Sequence, residues 1–238
     1  MSLLYDQASD AVRALYDWRI TGPSILDLDS HFPDAGKFVD SWEKIRDEAL
    51  AVTRRLPTVP RFHEIMHEQS AISANDNRDW RMLILKAYGI DFPQNMAACP
   101  TLSSVVAACP DVLSASISFL APGKHIPPHR GPFRGVLRFY LGLSMPKAAD
   151  GGSAAVLKIA DAEYRIGDGE CLLWDDTYPH AVWNDSDQVR SVLLLDVWRR
   201  DMPVDMQLFS RLLISLVRIG IKLRRVSQQF DTTEQAAA

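Results

Sequence analysis

The sequence predicts a mainly β protein with flanking helices, built as an antiparallel sandwich or barrel, and three observations lead there. After residue 112 apolar and polar residues alternate, the period that turns one strand face toward a core. The alternating runs are short and punctuated by Gly, Pro and Asp, which favours antiparallel strands over a parallel α/β sheet. Helical spacing of apolar residues is confined to the regions on either side, so helices should cover an outer sheet face. With 238 residues, 47% hydrophobic and 24% charged, the chain can build one sizeable core and is too apolar for global disorder.

Taken in order, residues 1–20 place Leu3, Leu4, Ala8, Val12, Leu15, Tyr16 and Trp18 at the spacing of a short amphipathic helix. A looser stretch with Pro23 and Pro33 follows. From Asp40 to Leu56 a second helix is expected, with Trp42, Ile45, Ala49, Val52 and Leu56 along one side, stopped by Pro57 and Pro60. Residues 80–88 fit a strand or a buried helix, and 101–109 a short helix ended by Pro110. Ala115, Ile117 and Phe119 then alternate with Ser114, Ser116 and Ser118; Leu137, Phe139, Leu141 and Leu143 alternate with Val136, Arg138, Tyr140 and Gly142. Strands are expected at 153–159, 163–166 and 170–174, the last two forming a hairpin around Gly167-Asp168-Gly169. A final long strand runs from Val189 to Trp198.

Between Arg211 and Val226 five Lys or Arg residues occur without an acidic one. Arg211, Ser215, Arg218, Lys222 and Arg225 share a helical face, while Leu212, Leu213, Leu216, Ile219 and Leu223 supply apolar surface elsewhere. Two readings stand: a packed terminal helix with a solvated face, or a helix resting on an anionic membrane or steering an anionic substrate. Beyond Phe230 the tail TTEQAAA is expected to fray.

A formal charge of -4 gives no overall field for nucleic acid, so no nucleic-acid partner is expected. Cys99, Cys109 and Cys171 are too few and scattered for a disulfide framework or thiolate cluster, which points to reduced thiols. The opening residues MSLLYDQASD lack a basic region followed by a long apolar one, and no apolar run is long enough to span a bilayer. The expected location is cytoplasmic, with peripheral contact at a membrane surface through 211–226 left open.

Histidine is scarce, six in all. His125 and His129 lie in APGKHIPPHRGPF, His180 in WDDTYPHAVWND. Imidazoles from different strand ends can converge on Fe(II) or Zn(II). Pro127 and Pro128 oppose a helix that would let both loop histidines bind one ion, so a single ligand from this loop is expected, His129 before His125. Each could equally cap a turn. Arg138 and Arg190 sit among apolar strand neighbours, where an unpaired guanidinium is costly and a bidentate carboxylate partner suits it. Ser118 and Tyr140 can add hydrogen bonds to the same anion. The alternative is pairing of Arg138 or Arg190 with Asp175, Asp176 or Asp196.

The segments SFLAPGKHIPPHRGPFRGVLRFYLGL and GDGECLLWDDTYPHAVWNDSDQVRSVLLLDVW, in this order and spacing, resemble the aspartyl/asparaginyl beta-hydroxylase family of Fe(II)- and 2-oxoglutarate-dependent dioxygenases. That resemblance implies a double-stranded β-helix (jelly roll, cupin-like) in one dioxygenase domain over 1–238. A helical and mixed flanking region would occupy about 1–110, the catalytic core 112–200 and a basic amphipathic helix 205–230. It maps His129 and His180 to the two iron ligands, Ser118 to a hydroxyl that helps bind 2-oxoglutarate, Arg190 to its distal carboxylate and Arg138 to a second clamp. Tyr140 replaces a histidine often found at its position. Where many related enzymes carry an acidic third ligand this chain has Gly131, after Arg130, which resembles the two-histidine centre of the family. Asp175 and Asp176 are expected to turn the loop and orient His180. Trp80 and the Cys99-Pro100 turn are candidates for a lid or substrate wall.

The implied activity consumes dioxygen and 2-oxoglutarate, releases succinate and carbon dioxide, and hydroxylates an unactivated C–H bond. The family includes enzymes acting on aspartyl or asparaginyl side chains and relatives acting on lipid acyl chains. Val136 stands where the peptide enzymes carry a substrate arginine, though Arg130 or Arg134 could substitute. An acyl chain ranks above a free amino acid or a peptide side chain. A metal-binding jelly roll without oxygen chemistry is the remaining alternative.

Overall fold

Alternation along the chain becomes two antiparallel sheets with helices over one of them. A computed structural model describes residues 3–224; Arg225, Phe230 and the tail, like the side chains of Leu3, Leu4 and Leu223, lie outside what it describes. In chain order come α1 (Leu3–Arg19), the single turns α2 (Leu28–His31) and α3 (Ala35–Val39), α4 (Trp42–Thr53), and the short α5 (Phe62–Ile65) and α6 (Ser70–Ser73). Next are β1 (Trp80–Ala87), β2 (Ile90–Asp91), α7 (Pro93–Ala98) and α8 (Pro100–Ala107). The strands β3 (Val112–Leu120), β4 (His125–His129), β5 (Val136–Ser144), β6 (Ala155–Ile159), β7 (Ala162–Tyr164), β8 (Cys171–Trp174), β9 (His180–Asn184) and β10 (Arg190–Trp198) follow, and α9 (Val204–Arg224) comes last.

One sheet has six strands in the order β2-β1-β3-β10-β5-β8, the other four in the order β4-β9-β6-β7. This corrects the expected mainly β, jelly-roll architecture: the fold is mixed α/β with two open sheets. The end strands β2 and β8 of one sheet pair with no strand of the other, nor do β4 and β7, so no roll closes. The period of two reports that one strand face is buried; it does not encode which edges pair, and stacked open sheets satisfy it as well as a closed roll. The expected hairpin at Gly167-Asp168-Gly169 is also corrected. β7 ends the small sheet and β8 joins β5 in the large one, so this turn carries the chain between sheets, with Gly169 at φ +76 against the Trp42 ring.

The two faces of the large sheet bury different cores. Ile117, Phe119, Leu137, Phe139, Leu141 and Leu195 pack against Phe38, Ile45, Ala49 and Val52 from α3 and α4 and against Leu102 and Val106 from α8. Pro100 begins α8, where its missing N–H costs nothing, and the Glu48 carboxylate accepts from the backbone N–H groups of Thr101 (2.6 Å) and Leu102 (3.1 Å) at that helix's positive end. The opposite face, carrying Trp80, Met82, Tyr140, Trp174 and Val192, meets Ile126, Leu157, Ile159 and Val182 of the small sheet. A third cluster joins α1 and α9 to the segment after β4 through Tyr16, Ile20, Phe133, Val136, Met206 and Ile214.

Candidate active site

β4 and β9 run side by side with His129 opposite His180, and the two imidazole centroids are 4.0 Å apart. The same local device positions both rings. Each histidine follows a proline, and its Nδ1 lies 2.9 Å from the carbonyl oxygen two residues back, that of Pro127 for His129 and of Tyr178 for His180. A carbonyl can only accept, so Nδ1 bears the proton and Nε2 keeps its lone pair. Proline restricts both its own φ and the residue before it, which holds those carbonyls in place. The Trp174 ring meets His180 edge-on at 4.5 Å.

Electrostatics keep the pair neutral. Burial lowers the pKa of His129, helped by the Arg138 charge. His180 is held well below the ordinary histidine value by burial, by His129 and by Arg138. Both Nε2 lone pairs therefore stay available at neutral pH. His125 points elsewhere: it stacks on Trp183 at 4.9 Å.

The two strand arginines have opposite surroundings. Arg138 Nη2 is 2.9 Å from Asp176 Oδ2 and its Nε 3.0 Å from Asp196 Oδ1. Burial opposes its charge, but the Asp196 and Asp176 carboxylates outweigh that and raise its pKa. Arg190 is 2% exposed and pairs with no carboxylate among the described residues. Its Nη1 lies 3.4 Å from Ser118 Oγ, its guanidinium carbon 5.7 Å from the Tyr140 ring centroid, and its Nε has no hydrogen-bond partner. Burial accordingly lowers the Arg190 pKa, and burial raises that of Tyr140. Trp80 Nε1 donates to Ser118 Oγ at 3.0 Å, and its ring stacks on Phe62 at 3.9 Å. Ser118 thus accepts from the indole and keeps its own O–H to donate.

The aspartates before His180 are fixed differently. Asp175 Oδ2 binds Arg134 Nε and Arg199 Nη1, both at 2.8 Å, while Oδ1 accepts from the Thr177 backbone (3.1 Å) and hydroxyl (2.6 Å). Every strong acceptor site of Asp175 is in use. Asp176 keeps Oδ1 buried without a hydrogen-bond partner; burial pushes its pKa up to about 6 against the pull of Arg138, with Asp196 and Asp175 adding to the rise. A Cβ at Gly131 would stand 2.1 Å from that Oδ1. The position that lacks an acid side chain is thereby filled by the carboxylate of Asp176, and no larger residue fits at 131 without displacing it.

Arg130 donates to the Thr177 carbonyl and lies 3.5 Å from Asp17, while Arg134 also reaches Asp17 at 3.2 Å and the Ile20 carbonyl at 2.8 Å. Cys99 is not brought to this site. It is fully buried in the core under the helices, with its thiol pushed up to about 12 by burial and by Glu48. Sequence reasoning missed Arg199 and Trp174. Nothing in WRRD marks Arg199 as a buried cation, whereas a tryptophan ending an expected strand six residues before His180 was a usable signal.

Among the described residues no group of three or more His, Cys, Asp or Glu side chains is arranged to hold a metal ion. The donor set that does exist, two neutral imidazoles with their lone pairs free, fits Fe(II), whose other coordination positions would fall to molecules other than the protein.

The sequence profile described as aspartyl/asparaginyl beta-hydroxylase matches residues 39–200. An ornithine lipid ester-linked acyl 2-hydroxylase of Rhizobium tropici is 34% identical over 178 residues, covering 75% of this chain and 61% of that protein. A human aspartyl/asparaginyl beta-hydroxylase is 26% identical over 167 residues, covering 68% of this chain and 20% of that protein. The chain thus spans under two thirds of either relative. Among solved structures, a predicted oxalate decarboxylase of Thermotoga maritima aligns with 50% of this chain and 81% of its own at 13% identity and a TM-score of 0.32, too low to bear on the function.

Proposed function

We propose, from the premise that this chain belongs to the aspartyl/asparaginyl beta-hydroxylase family, that it is an Fe(II)- and 2-oxoglutarate-dependent hydroxylase of an unactivated C–H bond, with a lipid acyl chain as substrate class. One observation carries the reading: two facing histidines with Nδ1 committed and Nε2 free, on the sheet pair whose interior also holds a buried guanidinium with no carboxylate partner among the described residues. Iron and 2-oxoglutarate, when bound, supply the oxidising chemistry in which dioxygen and the co-substrate become a substrate hydroxyl, succinate and carbon dioxide.

The protein's own part is placement. His129 and His180 would hold the metal through Nε2, and the carbonyls of Pro127 and Tyr178 fix both tautomers. Arg190 would take the distal carboxylate of 2-oxoglutarate bidentately, with the Ser118 hydroxyl donating to it and Trp80 fixing that hydroxyl's orientation. Tyr140 covers the guanidinium and excludes water from it. Arg138 is neutralised by Asp176 and Asp196, so its part is to hold the segment before His180 against β5 and β10.

The acyl-chain substrate draws support from two sides. The Rhizobium tropici relative is named for hydroxylating an ester-linked acyl chain. Arg130 and Arg134, the alternatives for receiving a substrate carboxylate, are engaged by Thr177, Asp17 and Asp175.

Anaerobic titration of metal-free protein with Fe(II) and 2-oxoglutarate tests the core of this reading. A saturable visible charge-transfer band is expected in the wild type and is expected to vanish in His129→Ala and His180→Ala. Folded, iron-bound wild-type protein without the band would sink it. Mass spectrometry of an acyl lipid and of an aspartyl peptide after aerobic turnover then decides the substrate, one added oxygen on the lipid being expected.

A further inference from the structure

Exposed large apolar side chains are not scattered over this molecule. Among the described residues all but Leu50 lie on α1 and α9: Leu15, Trp18, Val204, Leu208, Leu212, Leu216, Val217 and Ile219. Val204, Leu208, Leu212 and Leu216 recur every fourth residue and so form a slowly turning line along α9, 73%, 60%, 56% and 55% exposed in that order. Meanwhile Met206, Ser210 and Ile214 face the core. A helix that is apolar on its buried side and again on its open side is incompletely partnered. No helix among the described residues is long and apolar enough to cross a membrane.

Beside this line lies a basic cleft of about 390 Å³ bounded by Asp111, Trp198, Arg200, Arg211, Ser215 and Arg218. Asp111 pairs with Arg200 (2.5 Å), Arg211 stands over the Trp198 ring at 5.8 Å, and Arg218 donates to the Tyr88 carbonyl. Neither Arg211 nor Arg218 pairs with a carboxylate among the described residues. In a chain of net charge -4, this concentrates positive charge beside an exposed apolar line.

α1 is tied to α9 by Arg19–Asp205 (2.6 Å) and Tyr16–Ser210 (2.5 Å). It also reaches the segment directly after His129, where Arg13 donates to the Gly131 carbonyl at 3.1 Å.

We propose that α9, with Trp18 of α1, is the surface by which this protein docks on an anionic lipid bilayer. The Val204–Leu216 line would enter the headgroup boundary, and Arg211 and Arg218 would meet lipid phosphates. A second copy packing on the same face would bring like-charged arginines together, which disfavours that occupant. Docking here sets the α1–α9 pair, which packs on the segment after His129, against the layer that contains acyl chains. The inference deepens the acyl-chain reading.

Vesicle flotation of the full chain, without substrate, is the test. Binding to phosphatidylglycerol-containing vesicles and not to pure phosphatidylcholine is expected. It should fall about fivefold for each of Arg211→Ala and Arg218→Ala, the contribution of one basic side chain near an anionic surface, and weaken with added salt. Leu208→Glu/Leu212→Glu should abolish binding while circular dichroism and the Fe(II)–2-oxoglutarate band stay unchanged. Wild-type protein that floats with neither vesicle, or a dimer in light scattering that the leucine variant dissociates while vesicle binding is absent, overturns the docking surface. Vesicle binding without hydroxylation of any dispersed acyl lipid would instead overturn the substrate reading alone.

Discussion

Arg190→Met is expected to weaken 2-oxoglutarate binding by about 10²- to 10⁴-fold while leaving the fold as stable as before or more so. The first half follows from losing two charge-assisted hydrogen bonds at about 1.5–3 kcal/mol each. The second follows from surroundings. Arg190 is buried, pairs with no carboxylate among the described residues, and leaves Nε without a partner, so the folded chain bears a desolvation cost that methionine of similar length removes. Arg138→Met should do the reverse. It strands Asp176 and Asp196, 4% and 8% exposed, and should cost about 3–5 kcal/mol. Calorimetric co-substrate affinity and urea unfolding, measured on both variants, separate the roles. Equal destabilisation with unchanged affinity would make Arg190 a structural residue.

Asp175→Ala should destabilise by about 3–5 kcal/mol, because removing one partner of a buried ion network leaves the others uncompensated. Among the described carboxylates, Arg199 and the Arg134 side chain, 2% and 8% exposed, would keep only Asp201 and Asp17, which are 40% and 41% exposed, with neutral oxygens of Ile20 and Thr177 as the other acceptors of Arg134. At this size the melting temperature should fall by on the order of 10 °C. The turn through Thr177 and Tyr178 that presents the carbonyl to His180 should loosen with it. Asp175→Asn, which can still accept from Thr177, should lose less stability. A melting temperature within a degree or two of wild type for Asp175→Ala would refute the hub assignment.

How much of this was legible beforehand differs by residue. The hydroxyl face of β3 and the Arg138–Tyr140 face of β5 were visible as alternation, and both turn toward the small sheet. His129 and His180 stood out because histidine is scarce and both lie next to predicted strands, and Pro127 and Pro128 favoured His129 over His125. The family resemblance ranked Arg190 before Arg138, but the residues alone did not separate them, because what distinguishes them is a cross-strand neighbour: Asp196 sits opposite Arg138 in the β5–β10 register, and register between distant segments is not written locally. The place of Asp176 beside Gly131 was hidden for the same reason. The closed roll was an implication of the family resemblance, and alternation, which reports a buried strand face but not which edges pair, offered no check on it.

β4 is an outer strand of its sheet, and such strands ordinarily offer a row of free amides to any passing chain. Two of its five residues are Pro127 and Pro128, which have no N–H to offer. The prolines that set His129 therefore also deny another polypeptide a template for strand addition. A histidine rim can stay open on a sheet border without inviting fibrous self-association.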